Sequence, residues 1–300
     1  MKTIVRVFFA VALLYVAAPV AILAQQSPVP DVPPIFDGAR VFWAYFVVGG
    51  SDRVDSQGRT LDGYEFTFAE KNKCDLYSRV RAYWWDAKGE RFPVRSPQLD
   101  PTEGSLGVMS RLPSIVFWIP EDYVYEVTFF LPGALRTGLV RFEIEPDLNA
   151  ENSTGQGVCV EVALLIREKR DGKVIQEAKI TPMTPIVEAR FSAVSLRPEN
   201  EVPSDTGVAL GNPNAVPLDV EITLRDLNIK TTVTIPPMGQ VAKFIREIFA
   251  IGSSGEFTDT AIVRVVKKKD QENPLGITVV PMLVRGESFK AVPLDPPEQK

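Results

Sequence analysis

The chain has 300 residues and no histidine, which removes much of the chemistry a protein of this size could offer. Serine–histidine and cysteine–histidine nucleophile systems, histidine-ligated zinc and the usual near-neutral proton shuttle all require an imidazole. Carboxylates remain, and a carboxylate pair can hydrolyse glycosides. Glu143 and Glu145 stand at i and i+2, on one face of an expected strand and close enough to perturb each other's pKa. A solvent-facing strand edge is the simpler account of them, so no catalytic residue is assigned. Asp147, Asn149 and Glu151 alternate as oxygen ligands do in a calcium loop, but Asn152 stands where that loop needs Gly and Val158 where it needs Glu. Asp52, Asp55, Gly58 and Asp62 follow no recognised spacing. Both stretches read as polar turns, and no metal or cofactor is expected. Asn152-Ser153-Thr154 is a glycosylation acceptor only in a host that modifies exported chains.

Two cysteines are present, Cys74 and Cys159. In an oxidising compartment such a pair favours a disulfide, and closing a loop of about 85 residues would contribute about 4 kcal/mol in the chain-entropy picture. Two buried thiols are the alternative, because spacing alone does not supply the short Cα separation that a bridge needs. The aromatic residues are unevenly spread: Trp43, Trp84, Trp85 and Trp118 all lie in the first half. Neighbours on a strand point to opposite faces, so Trp84 and Trp85 cannot enter the same core. With Trp84 inward beside Val80 and Ala82, the residues Arg79, Arg81, Tyr83 and Trp85 share the outer face. Flat rings beside guanidinium groups suit a polysaccharide or an extracellular protein, and these four are the candidate ligand contacts. An inserted loop or a contact between domains would cover that face equally well.

The elements that must position these residues are strands. Arg79 to Trp84 alternates at period two, and Asp219 to Asp226 does the same with Val220, Ile222 and Leu224 inward. Val80–Asp86 aligns without a gap on Val220–Asp226. Ile119-Pro120 then matches Ile235-Pro236, Leu139–Phe142 matches Ile262–Val265, and Val158–Ile166 matches Gly276–Val284, in the same order. The expected organisation is therefore a duplicated unit, residues 41–187 and 188–294, the first lengthened by an insertion at 95–112. Each copy has the short strands and turn residues of an antiparallel sandwich. The fold class is all-β, with two tandem immunoglobulin-like β-sandwich domains. One short helix is expected in the second, where Val241, Phe244, Ile245 and Ile248 fall at helical spacing within 240–249.

Thr206-Gly207-Val208-Ala209-Leu210-Gly211-Asn212-Pro213, the strand ending at Asp226, Ile235-Pro236-Pro237-Met238-Gly239-Gln240 and the segment from Phe244 to Phe249 follow one another in the second copy. In that order they resemble a β-sandwich module of exported proteins of environmental bacteria, often present in tandem. The resemblance covers 206–294 best and the first copy loosely, departing most at 122–130, which reads as strand. It implies structural or adhesive parts of surface proteins and brings no catalytic residues.

The ends agree with export. Lys2 and Arg6 precede an apolar run from Val7 to Ala24, followed by Gln25-Gln26, so residues 1–24 read as a signal peptide cleaved after Ala24. An uncleaved anchor is the alternative, since the run approaches the roughly 18–20 residues that span a bilayer. It would be the only membrane contact. Residues 25–40 form a proline-rich linker and 295–300 a similar tail. At 45% hydrophobic and 24% charged, the rest has ample material for cores. Removing 1–24 leaves 31 basic against 38 acidic residues, a net charge of −7. Its one basic run, Lys267-Lys268-Lys269, meets Asp270 and Glu272 at once, so nucleic acid is not an expected partner. A secreted, periplasmic or cell-surface location follows. Two functions stand: a non-catalytic structural or adhesion protein, and a carbohydrate-binding accessory protein using the aromatic face.

Overall fold

The computed structural model describes residues 40–296, apart from 57–60, 73–77, 92–114, 120–123, 130–132, 146–159, 181, 199–200, 253–254, 267–273 and 287. The expected signal peptide at 1–24, residues 25–39 of the expected linker, the expected insertion at 95–112, Cys74 and Cys159, the loop at 147–151, Asn152-Ser153-Thr154 and Lys267-Lys268-Lys269 lie outside the described residues.

The first half holds β1 (Arg40–Val48), β2 (Gly63–Asn72), β3 (Ser78–Asp86), β4 (Ile115–Ile119), β5 (Val124–Phe129), β6 (Arg136–Glu145), β7 (Val160–Arg170) and β8 (Lys173–Ile180). The second holds β9 (Glu188–Leu196), β10 (Ser204–Gly211), β11 (Leu218–Leu224), β12 (Ile229–Ile235), β13 (Gln240–Phe244), helix α1 (Ile245–Ile248), β14 (Phe257–Val265), β15 (Thr278–Arg285) and β16 (Ser288–Ala291). Every pairing between these strands is antiparallel.

In the first half β1-β6-β3-β4 form one sheet and β5-β2-β7-β8 another. Their inner faces meet ring against ring: Phe68 stacks on Phe142 at 4.5 Å, and Phe66 meets Trp84 edge-on at 5.6 Å. In the second half the order is β12-β11-β14-β9-β10-β15-β16, with β13 also on β10. The junction of β9 and β10 is only the pairs Ser204–Leu196 and Asp205–Ser195. Beyond it the sheet doubles over, so that Phe191, Ile222 and Val263 share a buried cluster with Leu210 and Val279. The strand order is the same in both halves, 1-6-3-4 and 5-2-7-8 against 9-14-11-12 and 13-10-15-16.

The matched sequence stretches fall on corresponding strands, with one adjustment. Val80 opposes Ile144 and Val220 opposes Val265. Val265 therefore corresponds to Ile144, two residues along from the Phe142 indicated by gapless alignment. A shift of two keeps every side chain on its own face, which is why the sequence pattern tolerates it.

Two expectations need correction. Residues 240–244 are strand, not helix, and α1 is confined to Ile245–Ile248. Isolated segments this short have marginal helicity, and the backbone of β10 from Gly207 to Gly211 offers β13 a ladder partner. The turn to helix comes where Glu247 Oε2 accepts from Phe244 N, at 3.1 Å. The segment at 122–130, the point of departure from the resemblance, carries β5, which occupies the same place in its sheet as β13. Second, Glu143 does not face solvent: β6 is an inner strand and the side chain is fully buried.

The two halves are packed together. Val208, Leu210 and Val279 point into the second half, whereas Ala209 and Val280 belong to the buried cluster containing Phe46, Phe66 and Trp84 of the first. Strands β10 and β15 are thus apolar on both faces, and one layer serves both halves.

Candidate functional site

The face of β1, β6 and β3 that points away from the first half's own core carries the candidate ligand contacts. Register places Trp43, Arg141 and Tyr83 side by side, with Tyr45, Leu139 and Trp85 in the adjoining row. Tyr83 and Trp85 lie opposite Ala82 and Trp84, as strand alternation requires. The face is nevertheless closed: Tyr83 is 4% exposed and Trp85 0%. Strand β3 is apolar and buried on both sides at 82–85, so these two rings present no open patch. Register sets Arg79 opposite Glu145 and Arg81 opposite Glu143 on β6; the side chains of Arg79 and Arg81 lie outside the described residues.

The cover is supplied by the second half. Met238, 0% exposed, packs in one cluster with Trp43, Tyr83, Trp85 and Leu139. It is presented by a tight turn, in which Gly239 N donates to Pro236 O at 3.1 Å. Pro237 suits the first central position of such a turn, but the second takes Met238 at a φ of 52°. A left-handed non-glycine residue costs about 1–3 kcal/mol and persists only where its surroundings over-determine it. Burial of the thioether chain among the rings is the compensating contact, and a flexible side chain is well suited to fill so irregular a socket.

Behind the turn is a buried polar bracket. Asn212 donates through Nδ2 to the carbonyls of Val216, Ile235 and Pro236 at 2.8, 3.2 and 3.0 Å, and Met238 N donates to Asn214 O at 3.0 Å. The Asn-Pro strand end and the Ile-Pro-Pro-Met-Gly-Gln turn are therefore two parts of one device. In front, the turn meets the loop after β3. That loop is organised by Asp86, whose Oδ1 accepts from Lys88 N and Glu90 N at 2.8 and 3.0 Å. Gln240 N donates to Ala87 O at 3.1 Å. The Gln240 amide, oriented to satisfy its neighbours, donates to Gly138 O at 3.1 Å and accepts from Thr137 Oγ1 at 2.6 Å. Gly89 has a φ of 87°, and a Cβ there would fall 1.9 Å from Pro237 O. Only glycine allows this approach.

Beside the plug sits a buried cation. The Arg141 guanidinium lies 4.6 Å from the Tyr83 ring centroid, 5.6 Å from Trp85 and 5.8 Å from Trp43, all within cation–π range. Its Nη2 meets Glu143 Oε1 at 2.7 Å. Burial pulls the arginine below its ordinary pKa, while Glu143 and Tyr83 act to raise it. Arg91 stacks on the same rings, 4.8 Å from Trp85 and 5.4 Å from Tyr83. Of the loose acidic turn around Asp52, Asp62 is committed to the protein itself: it pairs with Arg53 and accepts from Asp171 N at 2.8 Å. No group of three metal-ligating side chains gathers among the described residues.

Met238, Leu139 and Arg141 complete the cluster, and none of them is marked by its residue type alone. Their signal lay in two places, the adjacent tryptophans of β3 and the Ile-Pro-Pro-Met-Gly-Gln turn. No known protein family, curated protein or solved structure matches this chain.

Proposed function

We propose that this chain is a non-catalytic exported protein of structural or adhesive type, in which two copies of one immunoglobulin-like β-sandwich module are locked into a single stiff unit. The observation that carries this reading is the strained Met238 plug seated in the aromatic socket of the other half. A junction of that kind suppresses hinge motion, which suits display or spacing at a surface. The repeated strand order supports the two-copy reading, and the basic-then-apolar leader supports export. Contact with an extracellular protein or polysaccharide then falls to surfaces other than Tyr83 and Trp85, which are occupied within the chain.

Small-angle scattering of the chain from Gln25 onward tests this reading. The wild type should scatter as one rigid particle, and Met238→Asp should scatter as an ensemble with a larger radius of gyration. A wild type that already requires a flexible ensemble would remove the basis for a stiff spacer. A saturable change in tryptophan fluorescence on titration with soluble polysaccharide, lost in Trp85→Ala, would instead favour a carbohydrate-binding protein that uses the aromatic face.

A further inference from the structure

The sheet that contains β11 ends at β12, whose other edge meets no strand among the described residues. In an antiparallel ladder every second residue turns its N–H and C=O away from the neighbour, so an open edge carries a row of unpaired groups. Edges are normally blunted by proline, by a bulge or by several charges. β12 has none of these. It pairs with β11 in unbroken register from Ile229 to Ile235, and Lys230 is the one charge in Ile-Lys-Thr-Thr-Val-Thr-Ile. The other six residues are β-branched, the type that a strand ladder favours. The edge strands β8 and β16, by contrast, lie against each other, with Gln176 Nε2 donating to Phe289 O at 3.0 Å.

What fits this edge is the edge itself. Pro236 at one end and Asn228 at the other, left-handed at a φ of 52°, bound the strand, and Thr232 is its midpoint. A two-fold axis at Thr232 would pair two copies antiparallel along the whole strand, with Lys230 opposite Thr234 and Ile229 opposite Ile235. Thr234 stands beside Asp219, and its hydroxyl donates to Asp219 Oδ1 at 2.7 Å. The second copy's ammonium would therefore arrive in the row that ends on that carboxylate. Lys230 is free to serve it, being 70% exposed in the single chain, where it reaches Glu221 at 3.1 Å. The apolar side chains left in solvent follow the same symmetry. Leu227 and Ile229 lie at one end of the edge, and Val216 lies at the other, beside Ile235 through the shared donor Asn212. The two-fold brings the first end of each copy to the second end of the other.

We propose that β12 is a homodimerisation edge, to which a second copy of this chain adds its own β12 antiparallel about a two-fold axis at Thr232. Such an interface is isologous and closes at two copies. A single seven-residue edge falls below the roughly 1,200 Å² of total burial that marks stable complexes, so the association should be reversible, with a micromolar dissociation constant. The inference concerns contact between chains and holds whether or not the two halves of one chain form a stiff unit.

Sedimentation equilibrium of the chain from Gln25 onward tests it. The wild type should show a monomer–dimer equilibrium. Thr232→Lys should weaken it about tenfold or more, because two lysines then face each other across the axis. The thermal transition of the single chain should stay in place, since Thr232 is exposed and stands opposite Glu221 in its own sheet. Thr232→Glu should weaken association in the same way, and an equimolar mixture of the two variants should restore it. Amide exchange gives a reading that needs no variant: Ile229–Ile235 should exchange more slowly as the wild-type concentration rises. A wild type that stays monomeric at millimolar concentration, a dimer indifferent to Thr232→Lys, a mixture no better than either variant alone, or exchange in β12 independent of concentration would each overturn the assignment.

Discussion

At the scale of single residues the most consequential group is Arg141, a cation with 1% exposure held among three rings and a carboxylate. A buried ion pair returns little net stability against an apolar pair of the same shape, but removing one partner strands the other charge. Arg141→Met should therefore cost about 3–5 kcal/mol in urea unfolding. The double change Arg141→Met with Glu143→Leu should recover most of that loss. A double variant as unstable as the single one would mean that the arginine acts through its ring contacts rather than through Glu143. The same residues show how chemistry can mislead when read from type alone. Glu143 and Glu145 have the spacing of a reactive pair, yet Glu143 is committed to a buried guanidinium.

At the scale of elements, β3 and β11 occupy the same place in their sheets and differ in what covers them. Val220, Ile222 and Leu224 are fully buried, the intervening Glu221 and Thr223 are half-buried, and Arg225 is exposed. Leu224→Ala should cost about 2–5 kcal/mol and Thr223→Ala should fall within about 0.5 kcal/mol of neutral. In β3 the asymmetry should vanish, with Trp84→Ala and Trp85→Ala each costing about 3–5 kcal/mol, because one ring fills the core and its neighbour fills the socket. Thermal or urea unfolding of the four variants checks both halves of the comparison, and a Trp85→Ala near neutrality would show the socket to be loosely filled. The counterpart face in the second half needs no aromatic residues. It is a wet surface crossed by the ion pairs of Glu188 with Arg190 and Arg264, and burying rings there would gain nothing.

At the scale of the whole molecule the halves share buried strands, and their junction contains tyrosines with displaced titration. Burial, chiefly, pushes the Tyr45 phenol up, and burial beside Glu168 pushes Tyr64 up to about 12. An acid whose folded pKa is raised stabilises the fold fully below the unfolded value, near 10 for tyrosine, and loses that contribution as the pH climbs through the folded value. Stability should thus fall between about pH 10 and about pH 12. The loss should be smaller in Tyr64→Phe, which keeps the ring against Phe289 and removes the proton. Urea midpoints followed across that range, with tyrosinate absorbance alongside, test this; a Tyr64→Phe profile superimposable on the wild type would assign the alkaline loss to other groups.

Most of the strands, their inward phase and the order in which matching segments recur are legible in the sequence, because strand periodicity and turn residues are local properties. For that reason the core positions of Val220, Ile222 and Leu224 follow from their alternation alone. Periodicity states to which side a residue points but not whether another element lies over that side. The enclosure of Tyr83 and Trp85, the plug role of Met238 and the burial of Glu143 therefore depended on contacts between segments distant in sequence, whose cost and gain no local pattern records. The segment 240–244 illustrates the same limit: its apolar spacing fitted a helix, and the unpaired ladder of β10 decided for a strand.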